Sequence, residues 1–223
     1  MTKRVLVVAA HADDETLGCG GTIAMHVSQG DSVTVMFMTD GVSSRNNNSD
    51  DSSRRKTASN QAMTALGVSD VRQLNFPDNK MDSVPLLDVV KHIEIVIDDI
   101  KPEIVYTHFA LDLNVDHRVT HSAVMTACRP LSWSSIKKIL SFEVLSSTEW
   151  NSSSIEQFFP NYIVDISDFW NKKLAALKCY DDEMRKFPHS RSYKCVEALA
   201  ILRGASHGFN KAEAFTVERI LAE

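Results

Sequence analysis

The sequence predicts an α/β fold: a Rossmann-like, mostly parallel sheet with helices on both faces, in a single domain spanning residues 1–223. Strand-like and helix-like segments alternate along the chain, which is typical of a parallel sheet with crossover helices. The run KRVLVVAA (3–10) is apolar without polar alternation, as in a strand buried on both faces. The chain has 223 residues, 43% hydrophobic and 24% charged, which is the composition of one globular core.

The elements follow from local patterns in chain order. The first strand is a β-branched run, and helix 54–66 is closed by Gly67, a residue that commonly ends helices. The predicted strands cover 3–10, 31–39, 71–74, 102–108, 139–145 and 162–166, and the predicted helices cover 18–29, 54–66, 86–100, 116–128, 169–184 and 193–203.

Two polar stretches without periodicity are predicted as loops, at 40–53 and 147–154. The first, DGVSSRNNNSDDSS, follows a strand and is rich in Asn, Ser and Asp. It is longer than most connections, so a lid or rim of a binding site is as consistent with it as a plain surface loop.

Charge and cysteine content exclude several classes of protein. The formal charge is −5, and no basic cluster is longer than RRK at 54–56, so nucleic acid is not an expected partner. No apolar run reaches the roughly 18–20 residues that span a bilayer, so we expect no transmembrane segment. The four cysteines form no CxxC pair, and the N-terminus lacks a secretory pattern, which favours reduced thiols in the cytoplasm.

An unusual group of charged residues follows the first strand, in AHADDE (10–15). In open α/β sheets, ligands bind beyond the carboxyl ends of the strands. His11 and Asp14 are three residues apart, so both side chains lie on one face if a helical turn begins there, and they could share a cation. Taken alone, such a pair is more often a helix cap with a hydrogen-bonded turn.

A second polar group follows the strand at 102–108, and it makes a metal site the favoured interpretation of His11 and Asp14. The stretch THFALDLNVDHRVTH (107–121) contains His108, Asp112, Asn114, Asp116, His117 and His121. Two ligands from one loop and a third from another segment are typical of a catalytic zinc site with a position open for water. A structural site usually closes all four positions, often with cysteine, and no cysteine is placed for that role.

The glycines of LGCGGTIA (17–24) suggest a dinucleotide-binding turn as the rival interpretation. Gly18, Gly20 and Gly21 do not form GxGxxG, and the three preceding acids would repel a pyrophosphate. We therefore expect these glycines to let the helix pack closely against the sheet.

The two groups together resemble a known family. AHADDETLGCGG (10–21) is similar to the AHPDDE motif of the LmbE-like, PIG-L family of zinc-dependent sugar N-deacetylases, and NVDHR (114–118) is similar to its HPDH motif followed by Arg. Weaker similarities lie at 38–41, 55–68 and 203–215. Three positions depart from the pattern: Ala12 replaces proline, Asn114 replaces the first histidine of HPDH, and Ala58 stands where an acid often follows the helix arginine.

The resemblance implies roles for individual residues. His11, Asp14 and His117 would be the metal ligands and Asp13 the general base, with zinc, or another divalent ion such as Fe²⁺, as cofactor. Asp116 is expected to orient a histidine. Asn114 or His108 would stabilise the oxyanion. The residues expected to contact substrate are Arg55, His108, His189 and Arg191.

The implied reaction is metal-assisted removal of an N-acetyl group from a GlcNAc-like amino sugar, nucleotide- or lipid-linked, in glycan or glycoconjugate biosynthesis. Because Asn114 replaces a histidine, a metal- or carbohydrate-binding protein without catalysis is one alternative. An amidohydrolase acting on a non-glycan glycoside is another. The expected partner is a small N-acetylated sugar, and the oligomeric state is left open.

Two further expectations concern residues without a motif role. Glu15 is expected to fix its loop through a hydrogen bond. Trp133, Trp150 and Trp170 offer surfaces that could stack on a sugar ring, although packing is the default role of tryptophan.

Overall fold

The computed structural model describes residues 2–39, 41 and 49–222, without the side chains of residues 49–52. The described residues form seven strands and six α-helices: β1 (Arg4–Ala9), α1 (Asp14–Ser28), β2 (Ser32–Thr39), α2 (Ser49–Leu66), β3 (Asp70–Phe76), α3 (Leu86–Ile100), β4 (Ile104–His108), α4 (Val115–Ala127), β5 (Lys138–Phe142), β6 (Tyr162–Asp165), α5 (Trp170–Cys179), α6 (Tyr193–Ala205) and β7 (Ala212–Ile220).

All seven strands belong to one sheet with the order β3-β2-β1-β4-β5-β7-β6. β1, β2, β3, β4 and β5 pair in parallel, whereas β7 runs antiparallel to both of its neighbours. The predicted α/β class with a mostly parallel sheet is therefore confirmed. β1 and β4 are neighbours, so the chain that follows each strand emerges at the same edge of the sheet.

Each face of the sheet is covered by helices, because strand residues alternate between two cores. On β1, Val5 and Val7 pack with the core that includes α1, α2, α5 and α6. Leu6 and Val8 point the other way, to the core under α3 and α4. No helix in the described part of the chain has both the length and the apolar run needed to cross a membrane.

The glycines of α1 allow the close packing that their positions predicted. A Cβ on Gly18 would lie 2.3 Å from the ring of Phe142 on β5, and one on Gly21 would lie 2.8 Å from Ile166. The helix therefore approaches the sheet more closely than a larger residue permits, which confirms the packing role.

Helix α1 is also interrupted, at Cys19, whose φ of −145° is not helical. The buried ion pair of Lys173 and Glu213 forms hydrogen bonds with backbone groups on either side of the break. Lys173 of α5 donates to the carbonyl of Leu17 (2.8 Å) and to Glu213 of β7 (2.7 Å). Glu213 accepts from the backbone N–H groups of Gly21 (2.9 Å) and Thr22 (2.7 Å).

The structure corrects four predictions about elements. β7 was not predicted. α1 begins at Asp14 rather than at residue 18, because the acids after β1 form its first turn, where negative charge is favoured. α2 begins at Ser49, inside the loop predicted for 40–53. The lid or rim proposed for that loop falls largely on residues 40 and 42–48, which lie outside the described residues.

The fourth correction concerns α5, which ends at Cys179 and not at residue 184. Three consecutive acids follow it, in the 3₁₀ turn Asp181–Glu183. Negative charge at the carboxyl end of a helix opposes the helix dipole, which explains the early end.

Candidate metal centre and active site

The two polar groups come together at the carboxyl ends of β1 and β4. His11 and Asp14 follow β1, and His117 lies in the first turns of α4, after β4. Asp14 Oδ2 lies 3.1 Å from His11 Nδ1 and 3.2 Å from His117 Nε2. All three side chains are buried, and their donor atoms lie within 4.8 Å of one another, close enough to share one ion.

Further carboxylates hold the outer nitrogens of both histidines. Asp116 Oδ2 lies 3.0 Å from His11 Nε2. Two backbone N–H groups fix the Asp116 carboxylate: Asn79 donates to Oδ2 (2.6 Å) and Met81 donates to Oδ1 (3.0 Å). Asp112 Oδ1 lies 3.1 Å from His117 Nδ1. Carboxylates in this position orient ligating histidines and raise their basicity.

Asp112 is fixed in turn from the loop after β5, since it accepts hydrogen bonds from the hydroxyls of Ser147 and Thr148. Burial would raise its pKa, but the contact with His117 and these hydroxyl bonds lower the pKa of Asp112 to about 2. It therefore stays ionised opposite His117.

The charges in the cluster compensate one another. Burial disfavours charged imidazoles, but Asp14 and Asp112 raise the pKa of His117 to about 9. Burial likewise acts against charge on His11, yet its bonds to Asp116, Asp14 and Asp78 raise its pKa well above the usual range. The two rings in turn hold the pKa of Asp14 well below its usual range despite burial. The carboxylates thus favour positive charge among them, which a divalent cation also supplies.

Asp13 is adjacent to the cluster but faces different partners. Its carboxylate Oδ2 accepts from Arg191 Nη1 at 3.0 Å and lies 3.6 Å from Arg55 Nη2. Burial raises the pKa of Asp13, and the two arginines offset part of that effect. Asp13 therefore lines the same cavity as the three donor side chains without belonging to their set.

The backbone of Asp13 is strained, with φ at 127° and ψ at −28°. Such conformations cost roughly 1–3 kcal/mol in a non-glycine residue and persist where surrounding contacts fix them. Here Glu15 Oε2 accepts from the Asp13 N–H (2.9 Å), while Glu15 Oε1 accepts from Tyr180 (3.0 Å). The expectation that Glu15 fixes this loop is confirmed. Burial raises the pKa of Glu15 to about 7.

Two predicted oxyanion donors have different surroundings. Asn114 caps α4 by accepting from the Asp116 N–H (2.8 Å), and its Nδ2 donates to Asn79 Oδ1 (3.2 Å). It lines the cavity. His108 does not: its ring is fully buried, stacks on His117 at 3.9 Å and accepts from the Ala10 N–H (2.8 Å). The substrate contact predicted for His108 is not compatible with this placement.

Of the other three residues predicted to contact substrate, two line the cavity and one does not. Arg55 and Arg191 line the cavity, and Arg55 also donates to Glu183 (2.6 Å) and to the Ala12 carbonyl (2.9 Å). Glu183 is thus the acidic partner that Ala58 cannot provide. His189 does not line the cavity; it packs against Trp150 with ring centres 5.3 Å apart.

The cavity above the cluster measures about 170 Å³ among the described residues. Its lining is almost wholly polar and consists of His11, Asp13, Asp14, Gly41, Arg55, Asp78, Asn79, Asn114, His117, Ser146, Ser147 and Arg191.

Comparison with known proteins shows the family. Residues 6–128, more than half of the chain, match the family model described as PIG-L: GlcNAc-PI de-N-acetylase. The chain belongs to the PIG-L family. The sequence resemblance is therefore confirmed.

Curated relatives of this PIG-L chain include deacetylases. It is 31% identical over 182 residues to the uncharacterized deacetylase YaiS of Escherichia coli, covering 79% of this chain and 89% of YaiS. It is 28% identical over 185 residues to a probable N-acetyl-alpha-D-glucosaminyl L-malate deacetylase of Bacillus cereus, covering 79% and 82%. The prediction of a deacetylase-type hydrolase is confirmed at the level of the family.

Solved structures confirm the fold. N,N′-diacetylchitobiose deacetylase from Pyrococcus horikoshii superposes with a TM-score of 0.78 at 22% identity, over 97% of this chain and 84% of that one. GalB, a 4-carboxy-2-hydroxymuconate hydratase from Pseudomonas putida, reaches 0.77 at 20% identity, over 100% and 98%. Because one fold carries both reactions, the chemistry of a PIG-L chain must be argued from its site.

The motifs of the PIG-L chain did not identify every residue of the site. Asp78 lies 3.2 Å from His11 Nε2 and forms a second group of donors with His11 and Asp116. A usable signal existed, since PDN (77–79) directly follows β3 and therefore emerges at the same edge of the sheet. Glu183 carried no such signal, because it reaches Arg55 from a distant turn.

Proposed function

We propose that the chain is a metal-dependent hydrolase that removes the N-acetyl group from a GlcNAc-like amino sugar, nucleotide- or lipid-linked, in glycan or glycoconjugate biosynthesis. One observation carries the proposal: three metal-type donors and a separate carboxylate, Asp13, meet in one polar cavity. The name of the Bacillus cereus relative supports an N-acetylglucosamine-containing substrate, and the name of YaiS supports deacetylation. The four cysteines are free thiols, which supports a cytoplasmic location.

The donor set fits a catalytic metal. His11, Asp14 and His117 would hold the ion through two ring nitrogens and one carboxylate oxygen, a set that in zinc enzymes leaves a position open. When bound, zinc lowers the pKa of a water molecule and polarises a carbonyl. The same donors accept other divalent ions, so Fe²⁺ is the alternative to zinc.

Asp13 carries the proton in the proposed reaction. Its carboxylate takes a proton from the attacking water and gives it to the nitrogen of the leaving amine as the amide C–N bond breaks and acetate forms. Arg191 and Glu15 hold Asp13 in place through its carboxylate and its backbone N–H, respectively. This pre-organisation keeps the acceptor beside the reacting atoms.

Asn114 is the residue we assign to the amide oxygen of the substrate. Its Nδ2 carries two hydrogens, and one bond to Asn79 leaves the other for a carbonyl in the cavity. His108 is too deeply buried for that role. Arg55 and Arg191 each carry five N–H donors, so each can bind sugar hydroxyls while it holds an acid.

Acetate release tests the proposal. Purified protein is incubated with N-acetylated sugars in free, nucleotide-linked and lipid-linked form, with zinc, after chelation, and after chelation with zinc or Fe²⁺ restored. We expect acetate from at least one substrate, its loss on chelation and its return with metal. Sugar binding without acetate release would support the binding-protein alternative, and no chelator-sensitive acetate from any substrate would contradict the proposal.

A further inference from the structure

We propose that Ser146 binds the substrate through its side-chain hydroxyl, which donates a hydrogen bond to the 3-hydroxyl group of the N-acetylated sugar. Ser146 is then a specificity residue that acts beside the proposed metal ligands and Asp13. This inference rests on the proposed function, and it adds a residue that lies in neither of the two sequence motifs, AHADDE and NVDHR.

The backbone conformation of Ser146 is the first observation. Its φ is 67°, in the left-handed region that residues other than glycine rarely adopt. The carboxylate of Glu149 holds the turn in this conformation, because its two oxygens accept from the N–H groups of Ser146 (2.7 Å) and Ser147 (3.3 Å). Residues that their neighbours fix in a strained conformation are concentrated at active sites and ligand clamps.

The same turn is attached to the metal cluster and lines the cavity. The hydroxyls of Ser147 and Thr148 donate to Asp112, which lies beside His117. The hydrogens of these two hydroxyls are therefore used within the protein. Both Ser146 and Ser147 line the cavity above the cluster.

The hydroxyl of Ser146 has a different set of partners. It accepts a hydrogen bond from Arg191 Nε (2.9 Å), and it donates to no acceptor in the described part of the chain. A serine hydroxyl has one hydrogen to donate, so this hydrogen is available to a ligand in the cavity. The bond from the charged guanidinium polarises the hydroxyl and strengthens it as a donor.

Arg191 relates this hydroxyl to the reacting groups. Its guanidinium donates to Ser146 through Nε and to Asp13 Oδ2 through Nη1 (3.0 Å). In the proposed reaction Asp13 gives its proton to the nitrogen of the leaving amine, so the sugar carbon that carries this nitrogen lies next to Asp13. The oxygens on the two neighbouring carbons are then the sugar groups nearest to Ser146. In a glycoside the C1 oxygen belongs to the glycosidic bond, which leaves the 3-hydroxyl as the free neighbour.

The test removes the hydroxyl from each partner in turn. Steady-state kcat/KM for acetate release is measured on the methyl glycoside of N-acetylglucosamine and on its 3-deoxy analogue. The proteins are the zinc-loaded wild type, Ser146→Ala and the control Ser153→Ala, which changes an exposed serine of the next loop. We expect the wild type to lose about tenfold in kcat/KM when the 3-hydroxyl is absent, the effect of one hydrogen bond. Ser146→Ala should lose about tenfold on the glycoside and less than about twofold on the 3-deoxy analogue, and Ser153→Ala should match the wild type.

Ser146→Gly separates the hydroxyl from the backbone strain. Glycine adopts a positive φ without steric cost, so the midpoint of urea unfolding should be higher for Ser146→Gly than for Ser146→Ala, while both variants lose activity equally. Wild-type kcat/KM in Ser146→Gly would overturn the inference, because the hydroxyl would then be unused. Equal losses on the two glycosides in Ser146→Ala would also overturn it, because they would show that Ser146 only positions Arg191.

The proposed function can fail separately from this inference. If no N-acetylated sugar releases acetate, the proposed function fails, and calorimetric binding of the two methyl glycosides decides the inference. The same measurement decides it if only larger substrates are turned over. Weaker binding of the 3-deoxy analogue to the wild type, with no such difference in Ser146→Ala, would support the inference. Equal affinity of the wild type for the two glycosides, or binding of neither, would refute it.

Discussion

Asp13 is the residue on which the proposed chemistry depends most. It neighbours the proposed ligand Asp14 in sequence, yet its backbone is strained and its carboxylate contacts Arg191 and is not one of the donor cluster. Two adjacent carboxylates can therefore serve a metal and a proton separately.

Asp13→Asn should separate these two roles. Asparagine keeps the shape and tolerates positive φ but accepts no proton, so we expect unchanged metal content and a fall in kcat of about 10²–10⁴-fold or more. Metal content is measured by atomic emission and kcat by acetate release, with exposed Asp98→Asn on α3 as control. Loss of metal in Asp13→Asn would make Asp13 a ligand and refute the assignment.

Asp112 offers a test of a residue that would act through the proposed ligand His117. Asp112→Asn removes the charge opposite His117 Nδ1, so we expect metal affinity to fall about 10–100-fold. Activity should then recover at saturating zinc, with the circular dichroism spectrum unchanged. An activity loss that excess zinc does not repair would show that Asp112 does more than orient His117.

At the scale of elements, the contact of α1 with β5 places the metal loop against the sheet. Gly18→Ala would force a Cβ into the ring of Phe142, and we expect it to lower the free energy of unfolding by about 1–3 kcal/mol. The midpoint of urea unfolding measures this at constant m. Gly20→Ala is the matched control, because the nearest atom to its Cβ would be at 3.3 Å. Equal stability of the two variants would contradict the packing argument.

Local patterns were sufficient for most elements. Helix α3 has the predicted bounds, because Pro85 precedes an amphipathic run and Pro102 follows its end. β7 was missed because Glu213, Glu218 and Arg219 interrupt its apolar pattern. The contacts that stabilise this segment as a strand come from residues far away in the sequence. Lys173 neutralises Glu213, and β5 and β6 pair with β7.

In the site, too, some residues could be predicted from local sequence and others depend on distant contacts. The spacing of His11 and Asp14 and the position of the second group after a strand predicted a metal cluster from local sequence. The contacts of Asp78 with His11 and of Glu183 with Arg55 join segments far apart in the chain. Asp78 had a usable signal in its position directly after β3, whereas Glu183 is placed by tertiary packing and the sequence holds no local signal of its partner.

At the scale of the molecule, the Lys173–Glu213 pair connects α5, β7 and the interrupted helix α1. Glu213→Gln would leave the buried ammonium of Lys173 without a counter-charge, so we expect a loss of about 3–5 kcal/mol in the free energy of unfolding. Guanidinium unfolding measures it. The double variant Lys173→Met, Glu213→Gln should regain part of the loss, and a single-variant loss below about 1 kcal/mol would contradict this account.

The position of β7 also bears on how the protein is made. β6 lies at the edge of the sheet formed by the described residues and pairs with β7, a strand that a ribosome releases only after α5 and α6. Until then, β5 and β6 both present unpaired strand edges, which are prone to pair with other chains. Before β7 is made, these exposed edges would be the segments on which a chaperone could prevent aggregation, and β7 covers them by pairing with both strands.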